Sequence, residues 1–337
     1  MELLRIVSIL FVTIHHFLTH GASPSIFDAS ASLTVADSIA LFLNGFVYIG
    51  VNCFLLISGY FGIKYKMKSL VNLLLICVFY SVAGYLVHLY IDHQTLGISV
   101  MKSIFFLKYC NWWFVKCYIG LWLLAPILNK AIAHFTQREY QLSLLMLTIA
   151  SVYLGNIQEV AFFDGGGYSI LHFTYIYMIG GYIKRHVRID EIRSYRGLIL
   201  LIFIISASIW GGMSIAAHSY VMPYWQIPNY NNLFLMTASI SFFCFFTTFV
   251  IRSKIINTIA MSAFPVYLAQ EHIYIHRPLY GFVRRICSEI APPPSSSGVL
   301  IAIILAIGFF IIVCMFDQSR IMLFGVCQRL YKKVIHE

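Results

Sequence analysis

Apolar residues in this chain come in long continuous runs. Ten of them stand out, at 2–20, 38–62, 69–92, 112–133, 141–157, 168–184, 197–217, 231–251, 256–275 and 298–316. A helix needs about 20 apolar residues to cross the hydrocarbon core of a bilayer, and most of the runs are of that order. They do not alternate with period two, so the pattern predicts helices and not barrel strands. The fifth and ninth are the weakest. A short amphipathic segment, 319–334, follows the last run. The expectation is an all-α polytopic membrane protein of about ten transmembrane helices, with a single domain over 1–318 and a cytoplasmic tail over 319–337.

Composition sharpens this picture. Of the 337 residues, 60% are hydrophobic and only 11% charged. So little charge cannot coat a water-soluble globule of this size, where about a quarter of residues are usually charged. A soluble enzyme, a disordered chain and a coiled coil are thereby excluded. The net charge of +10 invites a nucleic-acid partner, but the basic residues sit in small clusters between apolar runs. Alternate loops carry them unequally. One set holds Arg5, Lys64, Lys66, Lys68, Lys130, Arg138, Lys184, Arg185, Arg188, Arg193, Arg196, Arg252, Lys254, Arg320, Arg329, Lys332 and Lys333. The opposite set holds Lys102, Lys108, Lys116, Arg277, Arg284 and Arg285. The positive-inside rule makes the first set cytoplasmic and puts both termini inside. The charge surplus belongs to topology, and no nucleic acid is expected.

Other features change less. Ala22 and Ser23 could follow a signal sequence, yet His15, His16 and His20 interrupt its apolar stretch, so the first run reads as a retained helix. Eight dispersed cysteines suggest neither a disulfide framework nor a zinc site. No internal repeat supports an inverted-repeat transporter. Pro292–Pro294 and the serines after them read as a stiff external spacer. Phe162, Phe163, Asp164 and the glycines 165–167 read as an external turn, not a phosphate loop.

Ionisable groups inside a membrane span cost a few kcal/mol and mark candidate functional sites. Arg5 and His16 are eleven residues apart, which at 100° per residue brings them within about 20° of one helix face and about 16 Å apart along the axis. His20 and Glu2 extend this stripe outward and inward. Such a stripe predicts an interior cavity. An arginine at the cytoplasmic mouth can hold an anionic donor by its phosphates. An imidazole a pantetheine arm deeper can serve as general base on a hydroxyl. A CoA thioester fits that layout, as would another phosphorylated donor with a long reactive arm. The plainer alternative makes Arg5 an anchor and His16 a buried hydrogen-bonded histidine; His15 points about 100° away and reads as structural. Ser58 and Gly59, followed by Lys64, Lys66 and Lys68, form either a helix end with topogenic lysines or a donor-phosphate site. Tyr109, Trp112, Trp113 and Tyr118 read first as an interfacial aromatic belt, with Trp113 also able to stack on an acceptor sugar. Lys116 lies inside the fourth run and is a further acceptor-site candidate.

These residues resemble the acyltransferase 3 (acyl_transf_3) family of bacterial integral-membrane O-acyltransferases. Arg5 and His16 within "LRIVSILFVTIHHF" match its Arg–His pair separated by ten residues. "GVNCFLLISGYFGIKYK", "NWWFVKCYIGLWLLAPILNK" (with Trp113, Tyr118, Pro126 and Asn129), "GYSILHFTYIYMIGGYIKR" and "DQSRIMLF" are also similar, nearly end to end. The resemblance implies a multi-pass protein of the bacterial inner membrane. It also implies acetyl-CoA or another acyl-CoA as co-substrate, no bound cofactor, and a carbohydrate hydroxyl as acceptor. His16 and Arg5 would be catalytic, with His16 either deprotonating the acceptor or carrying the acyl group. "SAFPVYLAQEHIYIHRPL" departs from the family pattern, since Gln270 stands where a His is usual. Glu271 and His272 are candidates to supply the polar contacts instead, against an interfacial hydrogen-bonding cluster. A carrier or flippase for a lipid-linked sugar and a polysaccharide polymerase remain the alternatives from hydropathy alone.

Overall fold

The computed structural model describes residues 1–23, 26, 32–91, 104–110, 112–158, 164–220, 229–291 and 296–336. Lys102, Phe162, Phe163 and the Pro292–Pro294 spacer lie outside these residues, as do the side chains of Arg329, Lys332 and Lys333. Among the described residues there is no strand. The helices are α1 (Glu2–His16), α2 (Val35–Val47), α3 (Gly50–Phe61), α4 (Met67–Ile91), α5 (Trp113–His134), α6 (Gln137–Thr148), α7 (Ile170–His186) and α8 (Arg196–Tyr220). They continue as α9 (Leu233–Thr247), α10 (Lys254–Met261), α11 (Ala263–Gln270), α12 (His276–Ile290) and α13 (Ser297–His336). One-turn helices at Phe106–Tyr109 and Ile189–Ser194 bridge neighbours, and α1 and α6 each run on into a π-helical stretch, Phe17–Ala22 and Ile149–Ile157.

Seven helical stretches among the described residues are long and apolar enough to cross a membrane. The sixth, eighth and ninth predicted runs appear as shorter pieces: α7 has 17 residues and α9 has 15. The ninth is two eight-residue helices, α10 and α11, meeting at Ser262. Pro265 accounts for this break. It has no N–H for the carbonyl of Met261, and it is tolerated in the first turn of a new helix. The second run is likewise interrupted, at Tyr48–Ile49 between α2 and α3.

The last run behaves oppositely. α13 passes without a break through residue 318, where the tail was expected to start. Arg320, assigned above to the cytoplasmic set, is buried and pairs with buried Asp317 at 2.5 and 3.0 Å. Tyr80 Oη and Ser262 Oγ donate to the same carboxylate at 2.8 and 2.7 Å. The "DQSR" motif therefore binds α13 to α4 and to the α10–α11 break.

The core forms around α1 and α3. α1 buries Leu4, Ser8, Ile9, Val12 and Thr13, and packs against α3, α10, α11 and α13. The crossing of α3 and α7 is tight enough to require two glycines. A Cβ at Gly59 would lie 2.0 Å from the Tyr177 carbonyl oxygen, and one at Gly180 would lie 2.4 Å from that of Leu56. Without a hydrophobic drive between helices in lipid, such close backbone packing is a main source of association. α3 ends at Gly62, whose φ of +73° suits glycine. Leu300, Ile304, Ile312 and Met315 on α13 are exposed, as a lipid-facing surface requires.

Candidate active site

A cavity of about 340 Å³ runs along α1. Arg5, Ile9, Val12 and His16 all line it, so the expected shared face exists and opens on one space. Facing walls come from Phe54, Ile57 and Ser58 of α3 and from Trp113, Phe114 and Tyr118 of α5. Tyr230 and the residues around the helix break, Ala260, Met261, Ala263, Phe264 and Tyr267, complete much of the rest. The walls are largely apolar, with charge and imidazole held to opposite ends of the α1 stripe.

At one end, Arg5 Nη1 donates to both carboxylate oxygens of Glu2, at 3.0 and 2.9 Å. Both side chains remain over one third exposed, at 39% and 36%. A surface ion pair of this kind is worth at most about 1 kcal/mol, so an arriving anion can displace it cheaply.

At the other end, His16 Nδ1 lies 3.1 Å from Glu271 Oε1. The ring N–H is not well aligned on that oxygen, which makes this a short polar contact and not a formed hydrogen bond. Glu271 Oε1 also accepts from Tyr280 Oη at 3.3 Å, and Oε2 stands 4.0 Å from His276 Nε2. The π-helical turn brings the His20 ring centroid to 5.7 Å from that of His16 and 5.1 Å from that of His276. Burial holds the His276 imidazole below its ordinary value, against the pull of the Glu271 carboxylate. Among the described residues no group of His, Cys, Asp and Glu is arranged to hold a metal ion. His15 turns away, and its Nδ1 donates to Asn44 Oδ1 at 2.6 Å.

The structure thus gathers Arg5, His16, Ser58 and Trp113 around one cavity, with Glu271 behind His16. It does not bring the other candidates there. Lys64, Lys66 and Lys68 are exposed and off the cavity wall. Just before them the chain is clamped at Ile63, whose N–H donates to Tyr177 Oη and whose carbonyl accepts from Asn129 Nδ2, at 2.8 and 2.9 Å. Lys116 is exposed on the first turn of α5. His272 is buried away from the cavity, and both ring nitrogens are in use. Nε2 donates to the Ser81 carbonyl at 3.0 Å, and Nδ1 accepts from the Tyr274 N–H at 3.2 Å. Gly84 makes room for this ring.

The aromatic belt is also revised. Trp112 is buried, and Trp113 and Tyr118 face the cavity. Trp113 packs on Tyr168 and Tyr230, with centroids 4.5 and 5.6 Å away, and Tyr230 stacks on Tyr48 at 4.5 Å. Tyr48 in turn meets His15 at 4.7 Å, which sets this aromatic group at the His16 end.

A family model described as an acyltransferase domain (Acyl_transf_3) matches residues 1–317. The chain belongs to this acyltransferase family. No curated protein and no solved structure matches it. This membrane acyltransferase carries the Arg–His stripe on the wall of its cavity, and Gln270, where the resemblance led a histidine to be expected, is the last residue of α11. That side chain is fully buried, and neither of its amide atoms has a hydrogen-bond partner among the described residues. Tyr230, Tyr267, His276 and Tyr280 escaped the sequence reading. Only Tyr267 had a local signal, lying one helical turn before Glu271.

Proposed function

We propose that this acyltransferase moves an acetyl or other short acyl group from a CoA thioester to a carbohydrate hydroxyl, on a surface polysaccharide or its lipid-linked precursor, in the inner membrane of a bacterium. The observation that carries this reading is that Arg5 and His16 line the same cavity. Their separation along α1, about 16 Å, suits a donor whose phosphates stay at the rim while its thioester reaches inward. Arg5 holds the phosphates on the cytoplasmic side, where its planar cation is well matched to them. The apolar walls take the pantetheine arm. A cavity of 340 Å³ is at the small end for ligand pockets, which favours a short acyl group.

Glu271 beside Nδ1 keeps the proton on that nitrogen and stabilises the imidazolium formed during reaction, leaving Nε2 for chemistry. In direct transfer, Nε2 takes the hydroxyl proton as the acceptor oxygen attacks the thioester carbon. The C–S bond then breaks and CoA leaves as its thiolate, which collects the proton. In a relay, Nε2 itself attacks, the C–S bond breaks and CoA leaves as its thiolate. The hydroxyl then attacks the acyl-imidazole, the C–N bond breaks, and the freed Nε2 takes the hydroxyl proton and passes it to solvent. The relay suits an acceptor on the far side, since CoA cannot cross. Trp113 and Tyr230 present flat apolar surfaces for the sugar ring.

Purified protein with labelled acetyl-CoA tests the scheme. Release of CoA without acceptor, together with parallel double-reciprocal plots, identifies the relay; a strict need for both substrates identifies direct transfer. Surface glycans of equal mass with and without the protein would overturn the acyl-transfer reading. Sugar transport into vesicles lacking any acyl donor would favour the carrier alternative.

A further inference from the structure

The helix α12 has a cationic surface that the proposed chemistry leaves unused. Its buried face, Tyr280, Val283 and Cys287, packs against the π-helical turn of α1 and against α13. Val283 occupies the space that a Cβ on Gly21 would need, at 2.5 Å. Arg284 Nη2 donates to the His20 carbonyl at 3.3 Å. The helix is therefore docked on the turn that follows His16, and its first residue, His276, stands 4.0 Å from the carboxylate that touches His16.

Arg277, Arg284 and Arg285 are all exposed on this helix. Arg277 and Arg284 are seven residues apart, nearly two full turns, so they project along one line beside the buried face, about 10 Å apart. Arg285 points about 100° away and is engaged with Glu289 at 3.9 Å. Among the described residues, neither Arg277 nor Arg284 has a carboxylate partner. With Arg285 they make up half of the six basic residues in the loop set opposite to Arg5, gathered on one helix against the His16 end. Paired guanidinium groups without counter-charge at a membrane surface are a phosphate site by geometry and charge.

Resting on the reading that the acceptor reaches His16 from this end, we infer that Arg277 and Arg284 bind a phosphate carried by the acceptor, so that the acceptor is a phosphorylated or phosphate-linked carbohydrate. The phosphate would sit outside the cavity while the sugar enters toward Trp113 and His16. The neutral aromatic wall takes the ring, and the arginines take the anion.

Equilibrium binding of labelled glucose 1-phosphate and glucose to the full chain in phosphatidylcholine nanodiscs tests this. The wild type is expected to prefer glucose 1-phosphate by tenfold or more, because one charge-assisted contact contributes about that factor. Arg277→Gln/Arg284→Gln should abolish the preference. Arg277→Gln alone, which leaves the contact to His20 intact, should reduce it, and Arg277→Lys should restore part of it. His16→Ala should bind glucose 1-phosphate like the wild type, so loss of transfer and loss of phosphate binding are separable. No preference in the wild type, or an undiminished preference in the double variant, overturns the inference. So does a double variant whose one defect is weaker attachment to phosphatidylglycerol vesicles, which would make the arginines a bilayer anchor.

Discussion

Two histidine–carboxylate contacts among the described residues, one part-buried at the cavity and one fully buried, are built differently. His16 and Glu271 stand at a cavity wall, 3.1 Å apart, with His16 Nδ1 poorly aligned on the carboxylate and Glu271 shared among His16, Tyr280 and His276. His172 and Asp164 stand 4.0 Å apart inside solid protein. There His172 Nε2 donates to Asn52 Oδ1 at 2.9 Å, and Nδ1 is 3.4 Å from Ser151 Oγ. Asp164 accepts from Ser151 Oγ, Ser169 Oγ and the Gly167 N–H at 2.5, 2.8 and 3.0 Å. Asn52 Nδ2 goes on to the Tyr230 carbonyl and Ser239 Oγ. A saturated network of this sort rigidifies; a pair with spare capacity beside empty space can exchange protons. The residue types are alike, and the difference lies in what hydrogen-bonding capacity is left over.

The largest test of that contrast is His16→Ala. Acyl transfer should fall by about 10³-fold or more, while thermal unfolding in detergent moves by no more than about 2 °C. The mirror experiment is His172→Ala, which empties a packed site and strands Asn52 Oδ1. It should cost about 3 kcal/mol of stability, seen as a lower melting temperature, with near-normal turnover per folded molecule. If His172→Ala instead kills turnover in a fully stable protein, the two pairs have been assigned the wrong way round. Glu271→Gln keeps the shape and removes the charge; kcat should drop by about tenfold to a hundredfold, less than for the base itself, with acceptor KM little changed. Trp113→Phe is the mildest change. It should raise acceptor KM by about fivefold and leave kcat alone, since stacking area is lost but no reacting group.

Legibility in the sequence followed range. The Arg5–His16 stripe was readable because both residues lie on one helix, where spacing alone sets direction. Lys64, Lys66 and Lys68 stand off the cavity wall for a reason the sequence does not carry. Their sequence distance from Ser58 is short, but Gly62 ends the helix and the Tyr177–Asn129 clamp on Ile63 sets the path of the chain beyond. Glu271 and His272 looked equivalent as neighbours. One residue of rotation sends the first to His16 and the second to the Ser81 carbonyl. Arg320 looked like a topogenic surface charge because nothing local revealed Tyr80 and Ser262 converging on Asp317.

By itself the sequence determined that the chain is helical and membrane-embedded, because apolar run length and scarcity of charge are sums over local residues. It also determined that a cation and an imidazole share a face of α1. Only the tertiary structure decided that this face meets a cavity, that Glu271 stands behind His16, and that Trp113 turns inward. Those outcomes depend on how far α3, α5 and the broken α10–α11 pair approach α1, and such distances are set by packing between segments remote in the chain.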